Sequence, residues 1–334
     1  MSYLLVEGNT YCIRYQMRYT DPKRLRGWSH RRLSKMLKTT DLKGVVGAAI
    51  TPLTESFEID VSQLKAHCDS LITDGCAFTS VFGTTGEGPS FSVRQKLAAL
   101  QQLSDLGMDM SRQIAGVMTS SVDDAAAMYS DLARLKCRAA LIIPPYFYRD
   151  AGIDGVASYY ETLVEKAGNP DLEIVLYNFP HFSGITFTVE QVQAVLDRLG
   201  KRIVGIKDSS GDLESGLELI KAFPQLSVFT GNDTILRKMV DNGGAGMIGG
   251  MTNPFSKDCV TLYQGGVSEG FEKRAAMRID AVDSNGGLTV LKALLAKRYN
   301  NEAFGRVVPP LKKLPAEKMA AIEIALQKAE EAAC

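Results

Sequence analysis

The chain has 334 residues, 45% of them hydrophobic and 23% charged, proportions that fit a globular protein and exclude disordered and fibrous classes. That length suits one large domain or two ordinary ones, and the longest apolar stretches, such as 44-GVVGAAI-50, fall far short of the roughly 20 residues a membrane helix needs. The formal net charge is zero but unevenly spread: residues 1–40 carry nine Lys/Arg against Glu7 and Asp21, and the remainder is correspondingly acidic.

The basic, Arg-rich start reads as a transit peptide, as a nucleic-acid arm, or as an over-long start, because Met36 would begin a chain just ahead of the first strand. The expected division is a basic extension over 1–41, a barrel over 42–255 and a helical region over 256–334. Six cysteines (Cys12, Cys68, Cys76, Cys137, Cys259, Cys334) lie far apart without a CxxC pair. They read as reduced thiols of a cytoplasmic protein. With three scattered histidines as well (His30, His67, His181), no metal site is expected.

From residue 44 onward, short runs rich in β-branched residues alternate with stretches of helical period. The runs are 45-VVGAAIT-51, 78-FTSVF-82, 113-QIAGVM-118, 139-AALII-143, 173-EIVLY-177, 203-IVGI-206, 226-LSVF-229 and 246-GMIGG-250. Their near-continuous apolarity is that of parallel strands buried on both faces. Between them, Val61, Leu64, Cys68, Leu71 and Ile72 share one helical face, and Val156, Tyr159, Tyr160, Leu163 and Val164 share another. Gly75, Gly107, Gly168 and Gly200 stand where left-handed helix caps belong. Eight strands alternating with helices predict an α/β fold, a (β/α)8 TIM barrel. An open doubly wound sheet is disfavoured, because the first turn, 51-TPLTES-56, lacks a glycine fingerprint. Beyond residue 255, segments 271–283, 287–299 and 315–333 look helical and make a C-terminal helical appendage.

A barrel's active site lies at the C-terminal ends of its strands. The residues there are Thr51, Thr84 and Thr85, Tyr146 to Tyr148, Tyr177 and Asn178, Lys207, Gly231 to Asp233, and Gly249 with Gly250. The set lacks a glycosidase carboxylate pair and metal ligands. A desolvated Lys207 would be a nucleophile able to form Schiff bases with ketones, although a strand-end lysine can also simply snorkel to solvent. Tyr177 could shuttle a proton or only pack. The turn 83-GTTGEGPS-90 could cradle a carboxylate, and 243-GGAGMIGG-250 could grip phosphate.

These residues resemble the dihydrodipicolinate synthase / N-acetylneuraminate lyase family of pyruvate-dependent class I aldolases. The likeness runs through 47-GAAITPL-53, 83-GTTGE-87, 145-PYFY-148, 177-YNFP-180, 205-GIKDSSGD-212, 231-GND-233 and 246-GMIGG-250. It implies that Lys207 forms the Schiff base with pyruvate or a 2-oxo acid, that Tyr177 is the general acid/base, and that Thr84 sits in its proton relay. Thr85 and the Ile248 carbonyl would hold the pyruvate end, with Ser209, Gly231 and Asp233 lining the rest of the substrate site. It also implies a homotetramer built from tight dimers, no cofactor and no metal. No nucleic-acid or membrane partner is expected.

Departures from the pattern bear on the substrate. Phe182 stands where dihydrodipicolinate synthases carry a carboxylate-gripping arginine. Phe147 replaces the tyrosine donated across the dimer, with Tyr148 as a stand-in. Thr234 and Gly250 replace hydroxyl-binding groups of the lyase branch. The expected activity is therefore cleavage or formation of a C–C bond in a 4-hydroxy-2-oxo acid, such as a 2-keto-3-deoxy sugar acid or an aryl-bearing one. The alternatives are a 4-hydroxy-tetrahydrodipicolinate synthase, a Schiff-base dehydratase or deaminase, a phosphate-binding barrel, and a non-enzymatic sensor using the basic arm.

Overall fold

The structure, a computed structural model, describes residues 41–332. The transit-peptide, binding-arm and over-long-start readings of 1–40 fall outside the described residues.

Every apolar run named above forms a strand: β1 Gly44–Ala48, β2 Phe78–Ser80, β3 Ile114–Val117, β4 Ala139–Ile142, β5 Ile174–Asn178, β6 Ile203–Asp208, β7 Ser227–Thr230 and β8 Gly246–Gly249. All pairings are parallel, in the order β2-β1-β8-β7-β6-β5-β4-β3. The ring closes between β2 and β3 through a Thr79–Gln113 bridge and the Gly116 amide, which donates to the Val81 carbonyl at 2.8 Å. This is a TIM barrel, and its alternating side chains divide into two cores. Val46, Ala48, Leu141, Tyr177, Phe229 and Ile248 fill the interior, while their strand neighbours pack outward against the helices.

The outer ring comprises α1 Val61–Thr73, α2 Val93–Asp105, α3 Val122–Arg134, α4 Gly152–Lys166, α5 Val189–Leu199, α6 Leu213–Ala222, α7 Leu236–Asp241 and α8 Thr252–Gln264. Each apolar stripe faces the barrel, and short polar side chains cap the starts of α1, α2, α3, α5 and α6. Asp60 accepts from the Gln63 amide, and Ser92 with Gln95 forms a full capping box. Gly75 and Gly168 close helices at φ 104° and 84°.

The division expected at 255/256 falls inside α8. Phe255 leaves helical geometry (φ −135°, ψ 41°), yet the helix resumes and runs to Gln264 because Cys259 and Leu262 still bury an apolar face. The appendage then consists of α9 Glu269–Asp283, α10 Leu288–Tyr299 and α11 Ala316–Glu331. Arg278, paired with both Asp258 and Glu330, ties α8, α9 and α11 together. Among the described residues no helix is long and apolar enough to cross a membrane.

Candidate active site

Lys207 and Tyr177 are direct partners in the β5–β6 ladder, so parallel strands about 4.8 Å apart set the two side chains next to each other inside the barrel. Lys207 is 6% exposed and Tyr177 1%. The Lys207 Nζ lies 3.2 Å from the Tyr177 hydroxyl and 4.3 Å from its ring centre. On the other side of that hydroxyl, the Thr84 Oγ1 is 3.1 Å away. An amine, a phenol and an alcohol therefore form one hydrogen-bonded chain. Among the described residues no carboxylate is within ion-pairing distance of Lys207.

The strand ends are braced from below. Asn178 donates to the Asp208 carboxylate at 2.8 Å and accepts the Phe187 amide at 3.0 Å, while the Ser210 amide also donates to Asp208 at 3.0 Å. Burial raises the Asp208 pKa, and these hydrogen bonds oppose the shift. Gly231 presents its inner face to Lys207: a Cβ there would overlap the Ser209 hydroxyl and stand 3.1 Å from Lys207 Cε. Ser209 and Gly231 thus lie beside the Lys207 side chain.

The turn after β2 is wound tightly. Phe82 and Glu87 both adopt left-handed backbone (φ 59° and 53°), a costly geometry that packing must hold. The Glu87 amide donates to Thr84 O and the Gly88 amide to Gly83 O. Thr51, a strand-end candidate, is spent on this turn, its hydroxyl donating to Gly86 O at 2.6 Å. The amides of Thr84 and Thr85 have no hydrogen-bond partner among the described residues, and Thr85 lies against Gly250, whose Cβ would sit 3.3 Å from its hydroxyl. Two free amides and two hydroxyls at one turn suit a carboxylate. Ile248 is fully buried in the same interior cluster as Tyr177.

Other expected positions are not brought to this point. Asp233 turns away: its Oδ1 would be 3.0 Å from a Cβ on the outward face of Gly249, and its carboxylate lines a cavity behind β8 with Met247, Cys259 and Arg278. Burial, helped by Asp283, pushes its pKa up to about 7, and the charge of Lys207 on the other side of the strand opposes the shift. Phe147 and Tyr148 stack edge to face and are 75% and 74% exposed. In 243-GGAGMIGG-250, the amides of Gly243, Gly244 and Ala245 are used by Val240, Met239 and Val228 carbonyls. Those three amides are therefore not free to hold a phosphate.

Sequence reasoning missed Lys292. Fully buried, it pairs with Glu87 and donates to Thr51 O at 2.8 Å, while Glu87 accepts the Val308 amide at 2.9 Å. The available signal was a lysine on the apolar stripe Leu288, Leu291, Leu295 of 287-GLTVLKALLAKRY-299.

Comparison with known proteins gives a consistent picture. The dihydrodipicolinate synthetase family model matches residues 41–297. An uncharacterized DapA-like lyase of Chloroflexus aurantiacus is 29% identical over 292 residues, covering 86% of this chain and 96% of that protein. The structure of dihydrodipicolinate synthase from Agrobacterium tumefaciens superposes with a TM-score of 0.80 at 25% identity, over 86% of this chain and 99% of that one. The fold is also that of YagE, a dihydrodipicolinic acid synthase family protein of E. coli K12 solved in complex with pyruvate, with a TM-score of 0.76 at 20% identity over 87% and 99% of the two chains.

Proposed function

The chain belongs to the dihydrodipicolinate synthetase family of lyases, and from that premise we propose that it is a pyruvate-dependent class I aldolase acting on a 4-hydroxy-2-oxo acid. The carrying observation is the Lys207–Tyr177–Thr84 chain at 3.2 and 3.1 Å inside the barrel mouth. The pyruvate bound by the E. coli relative supports the choice of 2-oxo acid.

In the cleavage direction, the unprotonated Lys207 amine adds to the C2 carbonyl of the substrate and water leaves, giving an iminium whose carboxylate rests on the Thr84–Thr85 turn. Tyr177 takes the proton from the C4 hydroxyl, the C3–C4 bond breaks, and its electrons pass into the iminium to form an enamine. An aldehyde departs, a proton returns to C3, and water hydrolyses the pyruvyl iminium to release pyruvate and restore the amine. Because Tyr177 touches both Lys207 and Thr84, the same phenol can serve both proton transfers. Run backward, the site joins pyruvate to an aldehyde. A dehydratase or deaminase would share Lys207 and expel a different group, which product analysis separates.

Borohydride reduction in the presence of pyruvate tests the reading. The expected result is a reduced pyruvyl adduct on the Lys207 peptide, absent in Lys207→Ala. A folded wild-type protein that gives no adduct would overturn it. The homotetramer belongs to the same proposal and is read by sedimentation.

A further inference from the structure

A continuous aromatic track leads from the reacting phenol to solvent. The Tyr177 ring lies 5.6 Å from Phe179, Phe179 meets Phe182 edge to face at 4.7 Å, and Phe182 meets His181 at 5.1 Å. Along this line exposure climbs from Tyr177, fully buried, through Phe179, half-buried against the interior core, to Phe182 at 55%.

The track is held in shape by its own backbone. The single turn Pro180–Ser183 returns the Phe182 and Ser183 amides to Phe179 O at 3.1 and 2.9 Å. The Ser183 hydroxyl accepts the Ile185 amide at 3.1 Å and shares its single proton between the Phe179 and Ile185 carbonyls. Gly184 closes the turn at φ 68°, where a Cβ would collide with the Arg149 stem. Its rings are thus presented rigidly, the arrangement in which an aromatic surface costs a ligand least to use.

Groups that would receive a polyhydroxylated tail are turned elsewhere. The Asp233 carboxylate faces the outside of β8, the Thr234 hydroxyl is committed to Asn232 Oδ1 at 2.7 Å, and Gly250 has no side chain. The Ser209 hydroxyl stands beside Gly231 and Lys207, at the head of the substrate and not at its tail.

We propose that Phe179 and Phe182 are the specificity residues of this site and that its substrates carry an aromatic group on C4, so that the aldehyde it releases or condenses with pyruvate is an aryl aldehyde. This inference rests on the pyruvate-aldolase reading. In the forming direction C3 of the pyruvyl enamine bonds to the aryl aldehyde carbon, the aldehyde oxygen takes its proton from Tyr177, and water releases the 4-aryl-4-hydroxy-2-oxo acid. The aryl ring continues the offset and edge-to-face contacts that Phe179 and Phe182 already make with one another.

The test compares benzaldehyde with D-glyceraldehyde as acceptors for pyruvate, in the wild type and in Phe182→Ser, with borohydride trapping on the wild type alongside. The wild type is expected to prefer benzaldehyde by roughly tenfold or more in kcat/KM, and Phe182→Ser to lower that preference by about tenfold, the scale of a lost apolar pocket contact. If the pyruvyl adduct forms on Lys207 but glyceraldehyde reacts as well as benzaldehyde, the aromatic assignment is overturned and the aldolase reading stands. Absence of the adduct overturns both. A drop in sedimenting mass of Phe182→Ser, with both aldehydes losing activity equally, would reassign the exposed ring to a contact between copies of the chain and also overturn the proposal.

Discussion

Lys292 and Glu87, 205 residues apart, form an ion pair from which solvent is wholly excluded. Glu87 is the carboxylate of the turn that presents Thr84 and Thr85, and Lys292 belongs to α10 in the appendage. The pair also reaches Thr51 O on one side and the Val308 amide on the other. Burial pulls the Lys292 pKa down while Glu87 acts against that. Removing one partner strands a buried charge. Lys292→Met is expected to cost about 3–5 kcal/mol of unfolding free energy, whereas Lys292→Met with Glu87→Gln costs distinctly less. Urea unfolding of the three proteins measures this, and equal losses in single and double variants would show that the charges are not coupled.

Tyr177→Phe keeps the buried ring and removes the hydroxyl shared by Lys207 and Thr84. Its kcat should fall on the order of 10²–10⁴. Thr84→Val removes one hydrogen bond to that hydroxyl and should cost about tenfold. Steady-state rates of pyruvate release check the order. A Thr84→Val loss exceeding that of Tyr177→Phe would move the proton transfer from the phenol to the alcohol.

Gly231→Ala places a methyl group on the Ser209 hydroxyl and against Lys207 Cε. Overpacking of this sort costs about 1–3 kcal/mol, and here the side chain pushed aside is the nucleophile. The expected outcome is a folded protein that forms the pyruvyl adduct at least about tenfold more slowly. Quenched borohydride trapping over time measures it, and unchanged kinetics would mean Lys207 has room that the packing does not suggest.

His67 joins three helices. Its Nε2 donates to Asn253 Oδ1 at 2.8 Å, leaving Nδ1 to accept from the Tyr299 hydroxyl at 3.2 Å. Burial lowers its pKa to about 4. Between that value and the ordinary 6.5, the unfolded chain takes up a proton and the native one does not, so stability falls as pH falls through this window. From pH 7 to pH 5 the group should remove about 2 kcal/mol. Urea melts at both pH values should show this loss in the wild type and a slope shallower by that amount in His67→Gln.

The strands were legible because burial on both faces leaves only one kind of sequence, and the pairing of Lys207 with Tyr177 followed from two strand ends sharing one mouth. Asp233 was legible as a position but not as a direction. It follows the Asn232 side-chain cap on the Thr234 amide, and that local turn aims the carboxylate behind β8, which no count along the chain reveals. The Glu87–Lys292 pair was hidden for a different reason. A charge on an apolar stripe announces burial, but its partner lies 205 residues away along the chain. The 255/256 division was drawn where the strand pattern stops, and the helix that follows the last strand runs across it with a kink at Phe255.

The ladder that sets Lys207 beside Tyr177 is made of main-chain hydrogen bonds between β5 and β6, and none of these depends on the turn that carries Phe179 and Phe182. Bond breaking and acceptor choice are therefore written in separate parts of the chain. Exchange of the five or six residues after Asn178 can retune which aldehyde is handled without dismantling the amine–phenol couple. A library randomised only at Phe179, His181 and Phe182 should yield variants with altered acceptor preference that still trap pyruvate on Lys207. Within such a scaffold, new specificities are reachable by short mutational steps, each passing through a working catalyst.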